Sequence, residues 1–199
     1  MYDLGDKRWL INLNQIKPSG KKVMLTFDDG PGKHLPLILD ILKEKQVKAL
    51  FFWQSRLLYN GRPWKRVLKD GHLIGSHASN HTNLTSLTKE LQYRHIQGSV
   101  EKIETITGGQ VKYFRPPFGQ YNEDTMEILH DLNLTPVMWD LTSYDWNHQE
   151  NPTCIKTNII SHLQEGSIIL LHELKQTTMI LPELIDEIRN QGYEFELIS

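Results

Sequence analysis

Six side chains capable of proton transfer or metal ligation stand at the ends of apolar runs. Asp28 and Asp29 close "KVMLTFDDGPG" (22–32), where a buried strand made of Val23, Met24, Leu25 and Phe27 surfaces into a glycine–proline turn. His77 and His81 lie four residues apart in "GSHASNH", Arg115 opens "RPPFG", and His172 ends "SIILLH". Two adjacent carboxylates repel unless a cation neutralises one of them. Two imidazoles at i and i+4 on a helical turn point the same way and can share a metal ion. Asp29 with His77 and His81 is therefore a candidate set of three ligands. Such a set leaves a position open on a divalent metal, as catalytic zinc sites do. Asp28 is left as a free carboxylate able to take a proton from a metal-bound water, whose pKa falls toward neutrality. Arg115 can hold Asp28 ionised through charge-assisted hydrogen bonds. His172 titrates in the range required of a general acid. No glutamate follows His77, so the HExxH zinc-protease pattern is absent.

The elements that must position these groups alternate along the whole chain. Short β-rich runs cover 22–28, 48–53, 72–77, 111–115, 135–140, 167–172 and 193–198. Helical patterns fall between them at 35–46, 64–71, 88–109, from Asn122, from Pro152 and over 181–192. Strands alternating with helices imply a parallel sheet covered on its faces. The spacing predicts an α/β fold, a distorted, incomplete (β/α) barrel of about seven mostly parallel strands with helices outside. Asp28, Asp29, His77, Arg115, Asp140 and His172 all terminate predicted strands at one end, the face on which such barrels build active sites.

The 199 residues suit one domain. Residues 1–20 read as an N-terminal extension packed on a catalytic domain spanning 21–199. The net charge of −2 gives no reason to expect a nucleic-acid partner. No apolar run reaches the roughly 20 residues of a membrane helix. Cys154 is the only cysteine, which excludes internal disulfides and thiolate clusters. No secretory leader opens the chain, so the compartment is open: an extracellular or cell-envelope location follows only if a leader or anchor has been trimmed.

"TFDDG", "HASNH", "RPPFG", "WDLTSYDW" and "IILLH", in that order, resemble the five motifs of the polysaccharide deacetylases, carbohydrate esterase family 4 or the NodB-homology domain. The resemblance spans roughly residues 20–198 and implies an N-deacetylase acting on an acetylated glycan. Carried over, it makes Asp28 the base, Asp29, His77 and His81 the ligands of one Zn2+ or similar divalent ion such as Co2+, and Arg115 the orienting group for Asp28. It makes the Phe118 N–H an oxyanion donor, His172 the acid, Leu170 a wall of the acetyl pocket and Trp146 part of the groove. The fourth motif departs from the pattern. The resemblance places an aspartate partner for His172 three residues before "DW", where this chain has Thr142, and leaves Asp140 or Asp145 to substitute. The glycan is expected to be peptidoglycan, a chitin-type oligomer or poly-N-acetylglucosamine, and the chain a monomer. The competing expectations are a hydrolase of a cyclic imide or ureide on the same scaffold, and a catalytically impaired glycan-binding member.

Overall fold

The structure, a computed structural model, describes residues 5–18 and 20–198. Strands β1 (Lys22–Gly30), β2 (Ala49–Trp53), β3 (Leu73–Ser76), β4 (Tyr113–Phe114), β5 (Thr135–Pro136), β6 (Leu141–Thr142), β7 (Ile168–His172) and β8 (Glu194–Phe195) form one sheet. Every ladder in it is parallel. The spatial order is β5-β4-β3-β2-β1-β7-β6, with β8 beside the start of β1. Helices α1 (Leu35–Glu44), α2 (Trp64–Lys69), α3 (Lys89–Thr107), α4 (Glu123–Asp131), α5 (Thr153–His162) and α6 (Lys175–Asn190) connect the strands and cover the sheet. The result is an α/β, incomplete barrel.

Central β1 carries the core. Val23, Met24, Leu25 and Phe27 are fully buried, each stabilising the fold by about 1.5–3 kcal/mol relative to an exposed side chain. Phe27 stacks on Phe51 of β2, with centroids 5.2 Å apart. The helix ends follow local chemistry. Thr88 caps α3 through its side chain, and Gly108, at φ 69°, ends that helix in the left-handed conformation. Asn122 and Thr125 form a capping box at α4.

Two elements differ from the sequence expectation. Of the strand expected over 135–140 only Thr135 and Pro136 are strand, pairing with β4; a separate strand, Leu141–Thr142, follows directly and pairs with β7 at the opposite edge of the sheet, which raises the number of strands to eight. One extended stretch therefore links the two edges of the incomplete barrel. Between its halves the backbone is satisfied by other partners: Met138 N–H donates to Leu10 (2.8 Å), and the Val137 and Met138 carbonyls accept from Arg115 (3.1 and 2.6 Å). Leu10 and Asn12 also form bridges to Val137 and Ser167, which seats the N-terminal segment against this seam.

The last helix was expected over 181–192, and it begins six residues earlier, at Lys175, with Pro182 inside it. Tertiary bonds account for the extra turns. Gln176 and Thr177, both buried, donate to the carbonyl and the carboxylate of Asp145 at 2.8 and 2.7 Å.

Candidate active site

The C-terminal ends of β1, β3, β4 and β7 converge on a cleft of about 520 Å3. Asp28, Asp29, His77, His81 and His172 line it with Phe118, Trp139, Trp146, Leu170 and Leu174. The β1–β7 register sets Asp28 directly beside His172. Asp28 is buried, and its Oδ1 accepts from Arg115 Nη1 at 2.8 Å. Arg115 is 0% exposed and also reaches Thr26 Oγ1 and the two seam carbonyls. Its guanidinium is thus fixed by four acceptors, and the second oxygen of Asp28 is left facing the cleft, 3.9 Å from His77 Nε2.

The three candidate ligands meet. One ligand atom from each of Asp29, His77 and His81 lies within 4.8 Å of the others. Asp29 Oδ1 is 3.7 Å from His77 Nε2 and 3.5 Å from His81 Nε2. Neighbouring ligands of a tetrahedral ion with bonds of about 2.0–2.1 Å stand about 3.4 Å apart, so this spacing suits one such ion. The tautomers fit as well. His77 Nδ1 lies 2.7 Å from the Arg115 carbonyl, which can only accept, so the ring donates there and keeps the Nε2 lone pair for a metal. Burial lowers the His81 pKa, favouring the neutral ring that ligation requires. Burial would raise the Asp29 pKa, but the charges of His77, His81 and His172 and the Gln54 amide outweigh it and lower it.

Local backbone strain accompanies these placements. Asp29, Ala78, Phe118 and Tyr144, one in each of four site loops, have φ of 66°, 60°, 60° and 52°. Such conformations cost about 1–3 kcal/mol each for non-glycine residues and persist only where the surroundings over-determine them.

The part of the cleft around His172 is built on Asp145. His172 Nδ1 lies 2.7 Å from Asp145 Oδ1, and the His172 backbone N–H donates to Oδ2 at 2.7 Å. Burial would lower the His172 pKa; the bond to Asp145 and the charges of Asp145, Asp28 and Asp29 overcome it and raise the pKa. The Trp146 ring stands edge-on to the His172 ring, 5.1 Å away, and Phe118 packs against His81 at 4.1 Å. Phe118 and Trp146 are 56% and 41% exposed, leaving flat faces open at the rim.

Of the two carboxylates the sequence left open as partner for His172, Asp145 takes that place, while Thr142 is held in β6 with its carbonyl accepting from Asn158 at 2.6 Å. Asp140 does not join the site. Its carboxylate accepts from Ile168 N–H and Asn12 Nδ2, both at 2.7 Å, at the first residue of β7. His172 closes the same strand, about 13 Å away at 3.3 Å per residue. The early end of the strand expected over 135–140 is the cause, because it returns the chain to the start of β7.

Sequence reasoning missed two buried side chains. Gln54 Nε2 donates to Asp29 Oδ1 at 2.8 Å. Glu173 reaches the glycine turn after Asp29, accepting from Gly32 N–H at 2.5 Å and Trp53 Nε1 at 3.0 Å. Burial pushes the Glu173 pKa up to about 7. Both directly follow a strand end, the same positional signal that marks Asp28 and His172.

The polysaccharide deacetylase family model matches residues 15–137. The chain is 32% identical over 184 residues to the peptidoglycan-N-acetylglucosamine deacetylase PgdA of Listeria monocytogenes, covering 91% of this chain and 39% of that protein. It is 30% identical over 187 residues to the peptidoglycan-N-acetylmuramic acid deacetylase PdaC of Bacillus subtilis, covering 92% of this chain and again 39% of the relative. The chain thus spans about two fifths of the length of each. The crystal structure of a pseudoenzyme of carbohydrate esterase family 4 from Bacillus anthracis superposes with a TM-score of 0.84 at 30% identity, covering 89% of this chain and 64% of that one. With these matches, the ordered motifs and the curled parallel sheet, the chain belongs to the polysaccharide deacetylases, carbohydrate esterase family 4, a family of hydrolases acting on carbon–nitrogen bonds.

Proposed function

We propose that this chain removes the N-acetyl group from an amino sugar of a cell-wall or chitin-type polysaccharide, releasing acetate, with one divalent metal held by Asp29, His77 and His81. The metal, for which Zn2+ suits the donor set, supplies Lewis acidity to the amide carbonyl and to the attacking water. Asp28, oriented by Arg115, takes the proton of that water through its cleft-facing oxygen. The Phe118 N–H is assigned to the developing oxyanion. His172 carries its proton on Nε2, with Nδ1 bonded to Asp145, and gives it to the departing amine. Leu170 borders the space for the acetyl methyl, and the ring of Trp146 gives a sugar a surface to lie on.

The observation that carries this reading is that Asp28 and His172 both adjoin the ligand set: Asp28 Oδ2 lies 3.9 Å from His77 Nε2, and His172 Nε2 lies 3.9 Å from Asp29 Oδ2. A base and an acid are therefore both within reach of a single group bound there. The relatives named for peptidoglycan favour a cell-wall glycan, hence action outside the membrane. No helix among the described residues is long and apolar enough to cross a membrane.

Acetate release from N-acetylglucosamine oligomers and from peptidoglycan, with and without chelator, tests the reading. Acetate is expected only with metal present, and Asp28→Asn is expected to keep the metal while losing about 100-fold or more in turnover. The likeness to a pseudoenzyme supports a second reading, a glycan-binding member without catalysis. Glycan binding with no acetate from any substrate at any metal loading would establish it.

A further inference from the structure

Glu173 has no part in the proton transfers assigned above, yet it is buried beside them and its carboxylate touches the turn that follows Asp29. Both glycines of "DDGPG" face it. A Cβ on Gly30 would stand 1.9 Å from Glu173 Oε1, and one on Gly32 would stand 3.1 Å from Oε2. Neither glycine has a positive φ. Backbone freedom therefore does not call for glycine at these positions; the approach of a carboxylate does. At Gly30 the Trp53 ring adds to the crowding, with Cδ1 at 2.7 Å from the same Cβ. That indole also donates to Glu173, so the carboxylate ties β2 to the turn while it directly follows His172.

We propose that Glu173 is a positioning residue for the metal centre: its carboxylate clamps the Gly30–Gly32 turn and so sets Asp28 and Asp29 against the strand end that carries His172. This rests on the metal-site reading given above. Asp29 stands in the left-handed region at φ 66°, a conformation that needs support from its neighbours. The Gly32 bond supplies that support three residues downstream, and Gln54 supplies it directly on Oδ1. Groups that orient metal ligands typically account for 10–100-fold in affinity.

Glu173→Gln keeps the volume but replaces one acceptor by a donor, so an N–H of the amide must face either Gly32 N–H or Trp53 Nε1–H. Four readouts on the full chain test the proposal: the Trp53 indole resonance, thermal melting, Zn2+ affinity by chelator competition, and kcat and KM on an acetylated chitooligosaccharide. Expected are a displaced indole resonance in a folded protein, Zn2+ affinity reduced about 10–100-fold, and kcat reduced about tenfold or more with KM within about twofold. Zn2+ affinity and kcat both within about twofold of wild type, with the indole resonance displaced, would overturn the proposal. If Glu173→Gln does not fold, Glu173→Asp decides, because its shorter carboxylate cannot reach both donors: reduced Zn2+ affinity supports the clamp and unchanged affinity overturns it. A wild-type chain that binds no Zn2+ overturns the metal reading and the clamp together. One that binds Zn2+ but releases no acetate overturns only the deacetylase reading, and Zn2+ affinity then decides the clamp.

Discussion

Asp145 receives both the imidazole Nδ1 and the backbone N–H of His172, each at 2.7 Å, one on either carboxylate oxygen. The ring can neither rotate nor exchange tautomer without breaking a short charge-assisted bond. Asp145 is itself locked by Thr177 and Gln176 at the start of α6.

The pH dependence follows from that pair. In the proposed reaction His172 must be protonated to act as an acid, so activity is expected to fall as pH rises through its pKa, which Asp145 holds above the ordinary histidine value. Asp145→Asn removes the charge and is expected to move the alkaline limb of the kcat profile toward lower pH. At pH 8 turnover should drop by about 100-fold. A pH–rate profile of the variant reads both effects.

Arg115 is expected to be the costliest single truncation at this end of the sheet. Arg115→Ala leaves Asp28 buried without its cation and strips the bonds to the Val137 and Met138 carbonyls at the seam between β5 and β6. Removing one partner of a buried ion pair costs about 3–5 kcal/mol. Urea unfolding should show that loss, with activity abolished.

Asp140→Asn separates structure from chemistry. It weakens bonds to Ile168 and Asn12 at the far end of β7 and is expected to destabilise the fold by about 1–3 kcal/mol. The alkaline limb of the pH profile should stay where it is, in contrast to Asp145→Asn. A displaced limb would restore Asp140 as a group that tunes the acid.

His72 should make the fold acid-sensitive. It is buried, its Nδ1 accepts from Ala49 N–H at 3.1 Å, and burial lowers its pKa to about 4. The unfolded chain takes up the proton near 6.5 while the folded chain resists it, so stability is lost as pH falls from 6.5 toward 4. Between pH 7 and pH 5 this group accounts for about 2 kcal/mol. His72→Gln should lessen the difference in urea midpoint between those pH values by a corresponding amount.

Much of the architecture was legible because its signals are local. Apolar runs alternating with helical periods, capping at Asn122, and the glycines after α3 act over a few residues and announce themselves in the chain. The early end of the strand after Pro136 was not legible: whether 135–140 continues one ladder or passes between two depends on Arg115 and Leu10, far away in sequence, taking over its backbone groups. The hidden start of α6 has a similar origin, since its first turn is held by Asp145 rather than by a local stop signal.

At the site, residue types and their positions at or just after strand ends were enough to single out Asp28, Asp29, His77, His81, Arg115 and His172 as one candidate cluster, because parallel strands bring the ends of successive apolar runs to the same end of the sheet. Sequence alone left Asp140 and Asp145 equal as partners for His172, and it did not mark Glu173 or Gln54. Those assignments were made only when β7 aligned beside β1 and β6 and the loops folded over the rim. A hydrogen bond depends on separations of a few tenths of an ångström between groups that chain order leaves far apart, and only the packed sheet sets such distances.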